Sequence, residues 1–406
     1  HPFHALHLPL SPPLRLDNAR LYSSQIGPLP PVPLSYEGNP SRLRIGYVSS
    51  DFRTHPTAHL MGGLLPLHDR KRFEVFGYSL RKDEGSPYRK RIMEGCDHFI
   101  DLDDLSDEEA ARRIAGDGIH ILVDLNGYTQ HARPGIFARR PAPIQVNYLG
   151  FPGTLGAPWM DYIIADPFVL TEEEARYYTE KPVYLPECYQ VNDRHPIAET
   201  GITRASQGLP EQAFIFCCFN AHRKIEPEVF HLWMEILREV PGSVLWLFRE
   251  GDRSDAHLLE EAERQGIGRH RLVFSGFMEK SRHLERLRLA DLFLDTFTYN
   301  GHTTTSDALW AGVPVITCPG ESFPSRVAAS LLRAVGLPEL IADDPSAYRS
   351  LAIRLSRERP ALSEIRSRLW ENRLTHPLFD TGRFARHLEE AFLRLWGLHR
   401  AHPEKG

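Results

Sequence analysis

Two Rossmann-like α/β domains facing across a cleft are what this 406-residue sequence predicts. Three observations carry the expectation. Short β-rich runs alternate with helical patterns in two successive series, one from Leu43 and one from near Ala213, as in parallel sheets covered by helices. An irregular stretch of about residues 151–212 parts the two series. Each polar constellation falls just past a strand, where open α/β sheets bind ligands.

Composition sets the bounds. With 42% hydrophobic and 25% charged residues the chain is globular, and 406 residues suffice for two or three full cores. A net charge of −5 with both signs interspersed argues against nucleic acid or an anionic membrane as main partner. No apolar run approaches the roughly 18 residues that span a bilayer, and no signal peptide is visible. The chain opens on His1 without a Met, which reads as a piece trimmed from something longer. Five cysteines, with Cys217 and Cys218 adjacent in an apolar strand, point to a reducing compartment and a cytoplasmic location.

Residues 1–41 are proline-rich and read as an extended segment lying over another surface. Strands are expected over Leu43–Ser50, Phe73–Leu80, His98–Asp101, Ile119–Leu125 and Ile144–Leu149, with a helix at Ser106–Ala115. The second series places strands at Ala213–Phe219, Val244–Phe248, Arg271–Phe274, Leu292–Asp295 and Val313–Thr317. Between its first two strands lies a helix, Glu226–Val240, with Val229, Trp233, Ile236, Leu237 and Val240 on one face. Residues 375–397 form a last amphipathic helix, Phe384, Leu388, Phe392 and Leu395 making its buried stripe. The expected division is 1–41 linker, 42–195 first lobe, 196–375 second lobe and 376–406 terminal helix.

The strongest chemical signal is Asp291–Asp307, DLFLDTFTYNGHTTTSD. A strand, a small-residue turn and a helix start make an anion site, because the first N–H groups of a helix lack partners. The competing reading makes Thr304 or Thr305 a plain N-cap with Asp307 aiding the first turn. His55 follows the first strand, before Pro56 at a helix start; it is a general-base candidate or a structural histidine. His55 and His59 are four apart, but without a third ligand they do not argue for metal. Asp124 and Asn126 follow a strand and point to one side, although Asn126-Gly127 favours a turn by itself. Gly153 and Thr154 sit in GFPGTLG, whose glycines let backbone amides approach a ligand. This is neither a dinucleotide fingerprint nor a Walker loop, so neither a bound dinucleotide nor ATP hydrolysis is expected. Lys224 lies beside a helix start, electrostatically poor unless an anion is present. His283 and Arg286 share a helix face, ordinarily a solvated one. The Asp101-Leu102-Asp103 spacing mimics a metal-binding DxD; a capping box at Ser106 makes the structural reading the better one.

Taken together, RIGYVSSDFRTHPTAHLM, DGIHILVDLNGYT, RPAPIQVNYLGFPGTLGAPWMDYII, DLFLDTFTYNGHTTTSDALWAGVPVIT and PGESFPSRVAASLL resemble the catalytic region of the O-GlcNAc transferase and SPINDLY family. The stretches run in the family's order over about residues 42–400. The chain is similar to a compact bacterial member without the insertion that animal enzymes carry between lobes. The resemblance implies the metal-independent GT-B glycosyltransferase fold, and tetratricopeptide repeats ahead of residues 1–41, through which oligomers could form. It implies that Lys224 contacts the donor diphosphate, with His302, Thr303 and Thr304 on the phosphates. Asp307 and Lys280 would hold the ribose, His283 and Arg286 the uracil, with the backbone near Met278 contributing. His55 matches a histidine assigned as base, and Asp124 the place of a second polar residue near sugar and acceptor; His55 is the first candidate to take the acceptor's proton, with Asp124 or a donor phosphate oxygen as alternatives. Ala221 stands where the animal enzyme has a glutamine that touches the nucleotide, and Arg223 replaces a tyrosine. These departures leave the donor sugar open.

The expected activity is therefore inverting transfer of N-acetylglucosamine from UDP-GlcNAc to Ser/Thr of proteins, with no cofactor beyond the donor and no metal. One alternative is a SPINDLY-like protein O-fucosyltransferase using GDP-fucose, or a glucosyltransferase. Another, of a different class, is an inactive sugar-nucleotide sensor or scaffold.

Overall fold

The structure, a computed structural model, describes residues 1–401. The chain divides into two compact units: His1–Asp193 together with the chain from Asp380 onward, and Arg194–Phe379.

In the first unit seven strands form one parallel sheet: β1 (Leu43–Ser49), β2 (Phe73–Ser79), β3 (His98–Asp101), β4 (Ile121–Asp124), β5 (Ile144–Asn147), β6 (Tyr162–Ala165) and β7 (Lys181–Tyr184). Their order is β3-β2-β1-β4-β5-β6-β7. Central strands are buried on both faces, which is why β1, β4 and β5 read as apolar runs rather than alternations. The chain winds outward from β1 to β3, then returns to pair β4 on β1's other side, Val48 opposite Asp124. Connections leaving two neighbouring strands in opposite directions open a crevice at their carboxyl ends. Here it lies between β1 and β4.

The second unit repeats the device with five parallel strands: β8 (Ile215–Cys218), β9 (Val244–Phe248), β10 (Leu272–Ser275), β11 (Leu292–Leu294) and β12 (Val315–Ile316). The order β10-β9-β8-β11-β12 puts its switch point between β8 and β11. The Pro227–Glu239 helix buries Val229, Trp233, Ile236 and Leu237 as the spacing predicts, and Val240 falls just past its end.

Several expectations are corrected. Residues 1–41 are not extended throughout: Pro2–Ala5 and Pro12–Ile26 are helices. Pro2, Pro12 and Pro13 mislead because they stand in the first turn, where a missing N–H costs nothing. The stretch read as irregular contains β6 and β7, four-residue strands too short for a periodic signal; Pro182 is tolerated because β7 is an edge. The last helix is Thr381–Ala401, not 375–397, and it belongs to the first unit. There Glu389 accepts the Asp69 N–H at 2.7 Å and meets the buried His68 Nδ1 at 3.1 Å. Ser106 forms the expected capping box with Glu109, which confirms the structural reading of the nearby acids. No helix among the described residues is long and apolar enough to cross a membrane.

Candidate active site

Both switch points collect the polar residues singled out above. In the first unit the ends of β1 and β4 are tied through Asn126. Its Oδ1 accepts the Ser50 N–H at 2.7 Å, while its Nδ2 donates to Ser50 Oγ and to Asp51 Oδ2, each at 2.9 Å. His55 is the N-cap of the Pro56–Met61 helix, its Nδ1 accepting from Thr57 N at 3.3 Å and lying 3.7 Å from Asp51 Oδ2. Burial lowers the His55 pKa, against an upward pull from Asp51, so the ring is neutral at pH 7 and able to take a proton.

Asp124 ends β4 and closes the turn that follows it. One of its oxygens, Oδ1, accepts the N–H groups of Asn126 (2.8 Å) and Gly127 (3.0 Å), which is the turn that Asn126-Gly127 alone would favour. Burial raises its pKa to about 6 although both N–H groups oppose the shift. Gly153 and Thr154 are likewise engaged within their lobe. Gly153 donates its N–H to Phe151 O and accepts from Asn147 Nδ2; Thr154 Oγ1 donates to the buried Glu180 and accepts from Gly156 N. Gly156 has a second constraint: at φ +59° its added Cβ would lie 2.5 Å from Arg20 N. Only glycine lets the Pro12–Ile26 helix seat there, with Ser23 Oγ donating to Gly156 O at 2.7 Å.

In the second unit, β8 leads through Asn220 and Ala221 into a single 3-10 turn, His222–Lys224. Lys224 Nζ donates to Asn300 O at 2.8 Å and lies 4.0 Å from the centre of the Tyr299 ring. Burial pulls its pKa down to about 7, with Asp295 opposing the change. The helix after β11 is Thr303–Ala311, and its N-cap is His302, not Thr304 or Thr305. The first helical N–H bond runs from Ser306 to His302 O, which leaves the Thr303, Thr304 and Thr305 N–H groups without helical acceptors. Thr304 Oγ1 donates to Asn220 Oδ1. His302 stacks on Tyr299 at 4.8 Å, so one ring contacts both His302 and Lys224. A side chain on Gly301 would lie 2.4 Å from Thr305 Oγ1, which explains the small residue at the turn.

The residues after β10 form a second wall. Lys280, first residue of the Lys280–Leu287 helix, pairs with Asp307 in a buried contact. Arg286 donates to His283 Nδ1 at 2.9 Å and to Gly276 O at 2.7 Å, and stacks over Phe219. That buries a face expected to be solvated. Met278 is half-buried beside the exposed Phe277. Ala221 offers only backbone, its carbonyl accepting from Lys224 N. Lys224, Lys280, His302–Thr304 and Asp307 are thus gathered by one sheet, and His55, Asp51, Asp124 and Asn126 by the other. The sequence reading missed Asp51, Asn220, Asp295 and Tyr299; for the first three, the position just past a strand was the available signal. Among the described residues no group of three or more His, Cys, Asp or Glu is placed to hold a metal ion.

Comparison with known proteins adds family membership. The profile of glycosyl transferase family 41 matches residues 1–200 and 195–388. The chain is 43% identical over 418 residues to the probable UDP-N-acetylglucosamine–peptide N-acetylglucosaminyltransferase SEC of Arabidopsis thaliana, covering 98% of this chain and 43% of that one. It is 33% identical over 520 residues to the UDP-N-acetylglucosamine–peptide N-acetylglucosaminyltransferase of Caenorhabditis elegans, covering 98% and 45%. The chain therefore spans less than half the length of these relatives. A lysine-to-methionine variant of the Thermobaculum terrenum O-GlcNAc transferase superposes with a TM-score of 0.86 at 32% identity, over 99% of this chain and 77% of that one. At 11% identity, Anabaena Alr3699/HepE, solved with UDP and glucose, shares the fold alone, with a TM-score of 0.60. The two parallel sheets and their helices are of the GT-B glycosyltransferase type. The chain belongs to glycosyltransferase family 41.

Proposed function

We propose that the chain transfers N-acetylglucosamine from UDP-GlcNAc to Ser/Thr hydroxyls of proteins, with inversion and without a metal ion. One observation carries this reading: Lys224, a half-buried lysine whose ammonium donates to Asn300 O, lies in the same switch point as three helix-start N–H groups. Such a site wants a polyanion. The names of the relatives, which specify UDP-N-acetylglucosamine and a peptide, supply the donor and acceptor class.

In the reaction the bond from C1 of the sugar to the β-phosphate oxygen breaks, and the diphosphate leaves with the electron pair. Lys224 and the N–H groups of Thr303 and Thr304 meet the charge where it grows, which is preorganised electrostatic catalysis. The acceptor hydroxyl oxygen forms the new bond to C1 from the opposite face, and its proton passes to His55. For Nε2 to accept it, the ring must take the tautomer with its hydrogen on Nδ1, giving up the bond from Thr57 N, and Asp51 Oδ2, 3.7 Å from Nδ1, is the carboxylate that would favour that tautomer. His283, Arg286 and the backbone at Met278 take the base, and the Lys280–Asp307 pair the ribose. Free thiols at all five cysteines suit a reducing, cytoplasmic setting.

The test is intact-mass analysis of a peptide library incubated with UDP-GlcNAc, UDP-glucose or GDP-fucose in excess EDTA. A single N-acetylhexosamine adduct from UDP-GlcNAc is expected. Adducts from GDP-fucose alone, or none without a divalent metal, overturn the proposal. UDP binding without transfer from any donor supports the sensor alternative.

A further inference from the structure

Asp295 performs none of the chemistry above, yet it is a fully buried carboxylate directly after the apolar strand β11. Its oxygens gather three segments. Oδ1 accepts the Gly301 N–H at 2.7 Å and Asn220 Nδ2 at 3.1 Å; Oδ2 accepts Thr317 Oγ1 at 2.8 Å. Asn220 in turn donates to Thr296 Oγ1 at 2.9 Å and accepts from Thr304 Oγ1. The ends of β8, β11 and β12 and the start of the Thr303–Ala311 helix therefore share one polar knot with Asp295 at its centre.

We propose that Asp295 is a positioning residue of the nucleoside-diphosphate subsite, holding the Gly301–Thr304 turn in its anion-binding shape. The inference rests on the reading of that subsite given under Proposed function. A neutral amide of the same shape would satisfy the Gly301 N–H, so the choice of a carboxylate asks for a reason beyond shape. Burying it is unfavourable by itself, and burial does raise its pKa, to about 6. The charge it contributes acts on Lys224. Asp295, Arg223 and the Cys218 thiol are the titratable groups that act on this lysine, and Asp295 is the largest influence keeping its proton on. The carboxylate thus works at a distance on the group that meets the leaving diphosphate, while its hydrogen bonds shape the amide cradle.

Calorimetric titration with UDP across roughly pH 6 to 9 separates this role from simple scaffolding. In Asp295→Asn the expected affinity above neutral pH is about tenfold weaker, with the pH midpoint of binding about one unit lower, since one unit of pKa is a tenfold change in charged fraction. Thr317→Val removes one donor and no charge; it is expected to weaken UDP about threefold, the scale of one net hydrogen bond, with the midpoint held. A folded Asp295→Asn with unchanged affinity and midpoint overturns the proposal. So does Thr317→Val with unchanged affinity, whether or not the asparagine variant folds. If the unsubstituted protein binds no UDP at any pH, the subsite reading fails and this proposal falls with it; normal binding with unmoved variants overturns this proposal alone.

Discussion

Replacing Lys224 by methionine separates catalysis from stability, because the two should move in opposite directions. The side chain keeps its length and loses its charge. Turnover should fall by at least 10²-fold, the scale of removing one preorganised donor from a developing oxyanion, about 2.7–4 kcal/mol. Stability should not follow. A lysine pKa that drops from 10.5 to about 7 means the charged form is disfavoured by something on the order of 5 kcal/mol in the empty site. Lys224 is half-buried, so solvent screening reduces that figure. The loss of the Asn300 O bond and the Tyr299 contact at 4.0 Å returns roughly 2–3 kcal/mol of it. The variant should therefore be as stable as the parent or up to about 2 kcal/mol more stable below pH 7. The sign follows from proton linkage. The folded pKa is depressed, so between about pH 7 and 10.5 the unfolded chain binds more protons and this group's contribution to stability rises with pH. The advantage of methionine should accordingly shrink between pH 6 and 9. Thermal denaturation at both pH values, with intact-mass turnover beside it, checks both arms. Turnover within about tenfold of the parent, or an advantage that grows with pH, would refute the reasoning.

Other outcomes follow from the same geometry. His55→Asn keeps a good N-cap but removes the proton acceptor, so kcat should fall about 10²–10⁴-fold while calorimetric UDP affinity stays put; lost UDP binding would contradict the assignment. Asp124→Asn preserves an acceptor for the Asn126 and Gly127 N–H groups and removes a buried charge whose pKa lies near 6. Its melting temperature at pH 8 should hold or rise with activity within about tenfold, and abolished activity with an intact fold would restore Asp124 as a base candidate. Lys280→Met leaves the Asp307 carboxylate buried without its cation and should cost about 3–5 kcal/mol. Adding Asp307→Asn should recover part of that loss in denaturant titration; strictly additive losses would show that the pair is not coupled.

Much of the site was legible because its residues lie in short contiguous motifs. GHTTT after an apolar run reads as an anion loop from local physics alone, and both sheets were visible as alternating strand and helix patterns. The missed residues share a cause. Asp295, Asn220 and Asp51 carry ordinary side chains whose meaning depends on partners far along the chain, as in Asn220 meeting Thr304, 84 positions away. Gly153 and Thr154 show the same dependence on distant partners: Asn147 Nδ2 donates to Gly153 O and Thr154 Oγ1 donates to Glu180, contacts that the glycine-rich loop does not announce. The His302 N-cap was lost because three consecutive threonines each qualify by propensity, and only the backbone angles choose between them.

By itself the sequence determined most of the local elements: the strands β1–β5 and β8–β12, the long helix between β8 and β9, and that each polar cluster sits at a strand's carboxyl end. Those properties follow from neighbours within a few residues, through periodicity, capping and turn chemistry. Only the tertiary structure decided the strand order β3-β2-β1-β4 and β9-β8-β11 that turns two of those ends into switch-point crevices. It also decided the burial that leaves Lys224 poorly solvated and near neutrality. Both depend on which segments pack together over long separations, and solvation is a property of that packing, not of any residue in the chain.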